Sequence, residues 1–328
     1  MRRSVNTTLG VILVLAALAV SRVGAAQTLP TIRVANLELG TNLPIFYLAE
    51  IASKHGLDVK IINFRRGVET AQALKAGQVD VALGGTEAAV SAAASGTDIV
   101  ILSNYCSGGV AWVTRPELKL KTVADVKGFR FGTIRGIHEL LMLAEFDRAG
   151  LTWSEQPGKD VQTVFLNSGP ALATALKSGE IDIMTNAEPL PSRAIVEGYG
   201  APFYVPRDTA MGAPPRAVFM SRDFYTKNRE AAQRFVEALV EATKKLRDDP
   251  AFARDFAVNK ALKGTITADD WDLMFKNDHT EFDVTLALEA IQATADYMQK
   301  YGMINRKMNV AEFTDLKPLG AAIKKIGW

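Results

Sequence analysis

Two stretches of the chain repeat one unit at a constant spacing of 102 residues. The first begins at Val59 and the second at Val161, and eight residues recur without gaps, including Asp80, which reappears as Asp182. Eight identities in register argue against chance convergence on common helix and strand patterns. Each copy has the pattern of a strand, a helix and a second strand. A repeated βαβ unit with short loops predicts two similar α/β lobes on either side of a cleft.

The first 26 residues have the pattern of a signal peptide. A basic start at Met1-Arg2-Arg3 precedes the uncharged apolar run Leu9–Val20, and Val23-Gly24-Ala25 offers small residues for cleavage. The apolar run is too short for a membrane-spanning helix, and no cysteine follows it for lipid attachment. We therefore expect a mature, soluble protein in a Gram-negative periplasm.

Charge and residue content argue against several classes of function. Without the arginines of the signal segment, 35 basic residues face 36 acidic ones, a net charge of −1 with no basic block, so we expect no nucleic-acid binding. The single cysteine, Cys106, allows no internal disulfide. Three scattered histidines form no metal-ligand pattern, and we find neither a nucleophile elbow nor a phosphate-binding loop. We therefore expect no metal, no cofactor and no catalytic activity.

Strands alternate with helices along most of the chain, which predicts doubly wound, mostly parallel sheets. Lobe 1 is predicted to begin with residues 27–112, and lobe 2 to comprise residues 113–213. Residues 214–328 are expected to return to lobe 1, first as a strand over Arg216–Ser221 and then as a helical tail. In that tail, Glu230–Arg247 has apolar residues at helical spacing and is expected to pack on lobe 1.

The chain is therefore expected to cross between the lobes twice, near Ala111–Arg115 and near Ala213–Val218. Two crossings form a hinge about which lobes can close.

In doubly wound sheets, ligands bind beyond the carboxyl ends of the strands. Five segments follow predicted strands in this way: Glu38–Asn42, Gly84–Glu87, Asn104–Ser107, Thr133–His138 and Asn186–Glu188. The residues expected to contact a ligand are Glu38, Thr41, Asn42, Gly85, Thr86, Glu87, Tyr105, Thr133, Arg135, Gly136, His138, Asn186 and Glu188.

The segment Thr133–His138 is the strongest candidate for an anion site. The start of the helix that follows it offers free backbone N–H groups and a positive dipole end. Arg135 can add a bidentate guanidinium contact. The alternative for Arg135 is a solvated arginine on a surface loop.

In lobe 1, Gly84-Gly85 permits close approach of a ligand to the backbone, and Thr86 is expected to cap the next helix. Glu87 and Glu188 are candidates to accept hydrogen bonds from ligand N–H groups. The alternative is that each acid only complements the dipole at the start of its helix. Trp112 is assigned to packing.

Four motifs in this order resemble a known family: IRVANLELGTNLPIFYLAE, ALKAGQVDVALGG, KTVADVKGFRFGTIRG and ALKSGEIDIMTNAEP. The mature chain resembles the periplasmic substrate-binding proteins of ABC transporters with the type II two-lobe fold. Among these it is similar to the nitrate/sulfonate/taurine-binding family, which includes binders of thiamin-pyrimidine precursors. Fungal pyrimidine-synthesising relatives carry a cysteine-rich motif that this chain lacks, so the enzymatic branch is a poor match.

The resemblance implies a monomeric, non-enzymatic solute-binding protein of the periplasm. It would close around a small organic anion, such as a sulfonate or carboxylate, and deliver it to the permease of an ABC importer. The resemblance also implies that the loop at Thr133–His138 holds the acidic head of the ligand. Three alternatives stay open: a binder of an amine-bearing heterocycle, an exported enzyme, and a ligand sensor on the same fold.

Overall fold

The computed structural model describes residues 29–207, 209, 211, 216–276 and 280–328, so the predicted signal peptide lies outside the described residues. The strands are β1 Thr31–Leu37, β2 Asp58–Phe64, β3 Val81–Gly85, β4 Ile99–Ser103, β5 Ser107–Gly108, β6 Val110–Thr114, β7 Arg130–Thr133, β8 Trp153–Ser154, β9 Val161–Phe165, β10 Ile183–Ala187, β11 Ala201–Tyr204, β12 Arg216–Ser221 and β13 Thr280–Glu281. The helices are α1 Leu43–Ile51, α2 Gly67–Lys75, α3 Thr86–Ala94, α4 Ile137–Arg148, α5 Gly169–Ser178, α6 Leu190–Val196, α7 Arg222–Lys227, α8 Arg229–Asp248, α9 Pro250–Phe256, α10 Ala268–Phe275, α11 Leu288–Lys300 and α12 Lys317–Ile326. Among the described helices, none is long and apolar enough to cross a membrane.

The described strands form two large sheets that pack against helices. One has the order β2-β1-β3-β12-β4 and the other β11-β6-β10-β7-β9-β8, while β5 and β13 pair as a small ribbon. Most neighbours are parallel, but β12 is antiparallel to β3 and β4, and β6 is antiparallel to β10 and β11. We call the unit around the sheet that contains β1 lobe 1 and the unit around the sheet that contains β7 lobe 2. The predicted α/β architecture with two lobes is confirmed.

The sequence repeat appears as the same unit in both lobes, since β3 and β10 lie 102 residues apart, as do the first residues of α2 and α5. Asp80 accepts hydrogen bonds from the backbone N–H and from Nη2 of Arg33, both at 2.8 Å. Asp182 accepts the same two bonds from Arg130, both at 2.9 Å. The repeated aspartate therefore joins two neighbouring strands in each lobe, and its role is structural.

The first crossing between the lobes lies earlier than predicted. All five residues of β6 pair with β10 in lobe 2, so the crossing precedes Val110 and the predicted boundary between residues 112 and 113 falls inside a strand. Gly108 and Gly109 have φ angles of 71° and 67°, a left-handed backbone that glycine adopts at little cost. The apolar pattern of β6 marks a buried strand but does not reveal which sheet the strand joins.

β12 lies between β3 and β4 in the sheet of lobe 1. The second crossing was predicted near Ala213–Val218, and its residues 213–215 lie outside the described residues. In the helical tail, α8 contacts α1 and α12 and buries Phe235, Leu239 and Leu246 in the same core as residues of β1 and β3.

Candidate functional site

A buried arginine occupies the junction of the two lobes. Arg216 is the first residue of β12, pairs in register with Gly85 of β3, and is 4 % exposed. Its backbone N–H donates to Oδ1 of Asn104 at 2.9 Å, and Nη2 is 3.5 Å from the carbonyl oxygen of Gly108. Nε has no hydrogen-bond partner among the described residues. None of the ion pairs found within the described part of the chain includes Arg216.

Gly109 packs closely against Thr41, Arg216 and Thr280. A Cβ at Gly109 would overlap the methyl group of Thr41 and would lie 3.5 Å from both Nη2 of Arg216 and Oγ1 of Thr280. That hydroxyl is buried and has no partner among the described residues. The Glu188 N–H of lobe 2 donates to the carbonyl oxygen of Gly109 at 3.0 Å. The arginine therefore lies where the two lobes meet.

Glu87 lies at the position where the sequence predicted a bound anion. It belongs to the first turn of α3 in lobe 1, and a Cβ at Gly136 of lobe 2 would be 3.4 Å from its Oε1. Its Oε2 is buried without a hydrogen-bond partner among the described residues. Burial raises the pKa of Glu87 to about 6, and this rise is partly offset by the charge of Arg216 and by backbone N–H groups that include Ile137. A carboxylate of lobe 1 thus faces the start of α4 in lobe 2.

Two further polar groups lie near the carboxyl ends of strands of lobe 2 and lack hydrogen-bond partners in the described structure. Nδ1 of His138 and Nδ2 of Asn186 are buried and have no hydrogen-bond partner within the described residues. Burial and the positive charge of Arg216 lower the pKa of His138 to about 3, so its imidazole is neutral. Asn186 uses its Oδ1 to accept the N–H of Ala187 at 2.7 Å.

Several predicted contacts of lobe 1 belong to a chain of hydrogen bonds. The hydroxyl of Tyr105 donates to Oδ1 of Asn42 (3.4 Å), and Nδ2 of Asn42 donates to Asn36 (2.9 Å). Asn36 continues the chain to Asn63 (3.2 Å), which donates to the exposed Glu38 (2.7 Å). Asn42 precedes α1, but its side chain does not cap that helix, because the amide is engaged in this chain. The network fixes the carboxyl ends of β1 and β2.

Arg135 lies on the surface. Its side chain is 60 % exposed, and its guanidinium pairs with Glu139 (2.5 Å) and Glu155 (2.7 Å). The guanidinium carbon also lies 3.4 Å from the centre of the Phe165 ring. This placement favours the alternative raised above, a solvated arginine whose charge its neighbours already satisfy.

Comparison with known proteins identifies the family. The model of the NMT1-like family matches residues 25–261. The chain belongs to the NMT1-like family. No curated protein sequence matches this NMT1-like chain.

Solved structures show which fold the NMT1-like chain has. The alkanesulfonate-binding protein SsuA from Xanthomonas axonopodis pv. citri, bound to MOPS, superposes with a TM-score of 0.72 at 19% identity, over 87% of this chain and 98% of that one. The periplasmic nitrate-binding protein NrtA from Synechocystis PCC 6803 gives a TM-score of 0.75 at 16% identity, over 91% and 89% of the two chains. The periplasmic-binding-protein fold and the resemblance inferred from the sequence are confirmed.

An enzyme also has this fold. The desulfurization enzyme DSZB superposes with a TM-score of 0.66 at 13% identity, over 90% of the NMT1-like chain and 99% of its own. The fold by itself therefore does not separate binding from catalysis.

The remaining predicted residues are buried but lie apart from Arg216 or have other roles. Oε2 of Glu188 accepts the backbone N–H of Ser192 at 3.1 Å, and burial, reinforced by the negative charge of Asp270, raises the pKa of Glu188 to about 7. Thr133 is fully buried at the end of β7. Thr86 is also buried but is the first residue of α3, so Gly85 takes the N-cap position predicted for Thr86.

The two lobes of this NMT1-like protein touch on both flanks of the junction. On one flank, Nη2 of Arg193 in lobe 2 pairs with Oδ2 of Asp270 in lobe 1 at 2.9 Å. On the other, Lys300 of α11 pairs with Asp147 of α4 at 2.6 Å. Glu87 of lobe 1 also faces Gly136 of lobe 2, so residues of both lobes are in contact at three places.

The sequence analysis missed Arg216 as a site residue. Arg216 was assigned only to a returning strand. The signal that could have identified it is a charged residue at the start of an otherwise apolar segment, RAVFMS. The nearby thiol of Cys106 is buried, and burial raises its pKa to about 12, so the thiol stays protonated. Within the described residues we find no cluster of three or more potential metal ligands.

Proposed function

We propose that this protein is a periplasmic solute-binding protein that carries a small organic anion to an ABC importer. The observation that carries the proposal is Arg216, a buried guanidinium at the lobe junction that forms no ion pair among the described residues and whose Nε has no hydrogen-bond partner there. An unpaired buried charge is costly, and an anionic ligand that bonds it would remove that cost. The periplasmic location rests on the N-terminal signal pattern and on the family.

The other unpaired groups support a polar ligand at the same place. Thr280 of lobe 1 and His138 of lobe 2 each present a buried polar atom without a partner in the described structure. Each such atom costs about 1–3 kcal/mol when it is left unbonded. A ligand that bonds groups of both lobes would stabilise a closed arrangement over an open one.

Arg216 takes the role that the sequence analysis gave to Arg135. The guanidinium of Arg135 is already paired with two carboxylates and is largely exposed, whereas that of Arg216 is buried. The second candidate ligand is an amine-bearing heterocycle, which the unpaired Oε2 of Glu87 favours.

The test is calorimetric titration of the refolded, ligand-free protein with alkanesulfonates, nitrate, aromatic carboxylates and pyrimidine precursors. We expect Arg216→Gln to weaken binding of the best anion about tenfold to a hundredfold, the value of a charged hydrogen bond. Arg135→Gln is the matched control and should keep wild-type affinity.

Equal affinity of Arg216→Gln and wild type would refute the assignment. Binding of none of these ligands would refute the proposed ligand class.

A further inference from the structure

A second charged group lies near Arg216. Arg216 pairs in register with Gly85, and the Oε2 of Glu87 lies so close to Gly85 that a Cβ there would overlap it. No hydrogen bond from the described residues satisfies that Oε2. An anion that bonds to Arg216 therefore enters next to a carboxylate. Two negative charges that share one buried site cannot both persist without a large cost, and one of them then binds a proton.

The neighbours of Glu87 leave it as the group that titrates. His138 of α4 is neutral because burial and Arg216 lower its pKa to about 3. Burial raises the pKa of Tyr105 and of Cys106, which follow β4, so both stay protonated. Arg216 of β12 stays positively charged, since guanidinium groups do not lose their proton in proteins.

The bound anion would act on Glu87 in two ways. In the ligand-free arrangement, the charge of Arg216 stabilises the Glu87 carboxylate. An anion that bonds the guanidinium cancels that stabilisation and adds repulsion of its own. Both effects raise the pKa of Glu87 further above its ligand-free value of about 6.

We propose that Glu87 is a specificity-determining residue, which takes up one proton when an anion binds at Arg216 and then donates a hydrogen bond to that anion. The inference rests on the proposed function. The proton comes from the solvent, and the protonated carboxyl replaces a repulsive neighbour with a donor. One guanidinium and one neutral acid balance a single negative charge, so the site prefers monoanions to dianions.

The experiment counts protons during calorimetric titration with an alkanesulfonate, which is itself fully ionised at all pH values used. Titrations are run in bis-Tris and in Tris at one pH near 7, because these cationic buffers differ in ionisation enthalpy and are not sulfonates. We expect uptake of up to one proton per ligand by wild type. Affinity should fall by up to about tenfold per pH unit above pH 7.

Two glutamine variants test whether Glu87 is the residue that takes up the proton. Glu87→Gln should bind the same ligand with no proton uptake and with an affinity that does not depend on pH. Glu188→Gln removes a second buried acid with a raised pKa, whose neighbours do not include Arg216, and should keep the proton uptake.

The outcomes separate this inference from the proposed function. Tight binding by wild type with equal heats in both buffers would overturn the role of Glu87 and leave the anion-binding function standing. Loss of uptake in Glu188→Gln but not in Glu87→Gln would also overturn it. If wild type binds no anion, the proposed function fails first.

Discussion

The ion pair between Arg193 and Asp270 offers a way to perturb closure without touching the ligand. Nε and Nη2 of Arg193 donate to Oδ2 of Asp270 at 3.3 and 2.9 Å, and Nη2 also donates to the carbonyl oxygen of Thr265. Arg193 belongs to lobe 2, and both of its partners belong to lobe 1. The bond therefore joins the two lobes and should break if the lobes separate.

The size of the effect follows from burial. The side chain of Asp270 is 1% exposed and that of Arg193 27%, so Arg193→Gln leaves a nearly buried carboxylate without its cation. Removing one partner of a fully buried pair costs about 3–5 kcal/mol. Asp270 keeps the backbone N–H of Thr267 at 3.0 Å and a place in the first turn of α10, so we expect a smaller loss. A loss of about 2 kcal/mol would lower the equilibrium constant for contact between the lobes roughly thirtyfold.

Small-angle X-ray scattering and calorimetry test this prediction. Ligand-free Arg193→Gln should have a larger radius of gyration than wild type, and its affinity for the ligand should be weaker by up to about thirtyfold. Arg33→Gln is the control, because Arg33 pairs with Asp80 inside lobe 1 at 2.8 Å. It should lower stability without changing the radius or the affinity. If the two variants scatter and bind alike, the ion pair does not control closure.

Two further predictions concern pH and the lobe junction. Burial raises the pKa of Glu188 to about 7, so its contribution to stability is present in acid and is lost as the pH rises through 7. Glu188→Gln should therefore gain about 3 kcal/mol relative to wild type between pH 5 and pH 8 in urea unfolding, and an equal difference at both pH values would contradict this. Gly136 has a φ of 113° and faces Glu87, whereas Gly150 has a φ of 69° and open space around it. Gly136→Ala and Gly150→Ala should each lose about 1–3 kcal/mol of stability through backbone strain. In calorimetry, Gly136→Ala alone should weaken ligand binding. Equal ligand affinities of the two variants would contradict a binding site at Gly136.

Much of the architecture could be read from local pattern. The bounds of β12 agree with the strand predicted over Arg216–Ser221, a largely apolar run that begins directly after Pro214-Pro215 in the sequence. The sequence pattern gave wrong predictions where the structure of a residue depends on distant parts of the chain. Gly84 and Gly85 were assigned to a loop but belong to β3, where the small residues allow Glu87 and Ile137 to approach.

The site itself was less accessible to sequence reasoning. Arg135 stands at a helix start, the usual place for an anion contact, but Glu139 four residues later was a visible sign that the charge could be paired locally. The charge of Arg216 at the start of the apolar segment RAVFMS is visible in the sequence, but its lack of an ion-pair partner depends on which groups the fold brings near it. Predictions for Glu38 and Asn42 failed to anticipate their shared hydrogen-bond chain for the same reason.

The position of β12 has a consequence for how the molecule is assembled. In lobe 1, β4 is joined to the rest of the sheet through β12, a strand that the chain supplies after all the strands of lobe 2. A nascent chain that ends before Arg216 can contain a complete lobe 2, but its other sheet has a gap between β3 and β4. The residue that fills the first position of that gap is also the cation at the lobe junction. The arginine of the proposed anion site and the finished sheet therefore arise in the same step, and a partly made chain has neither.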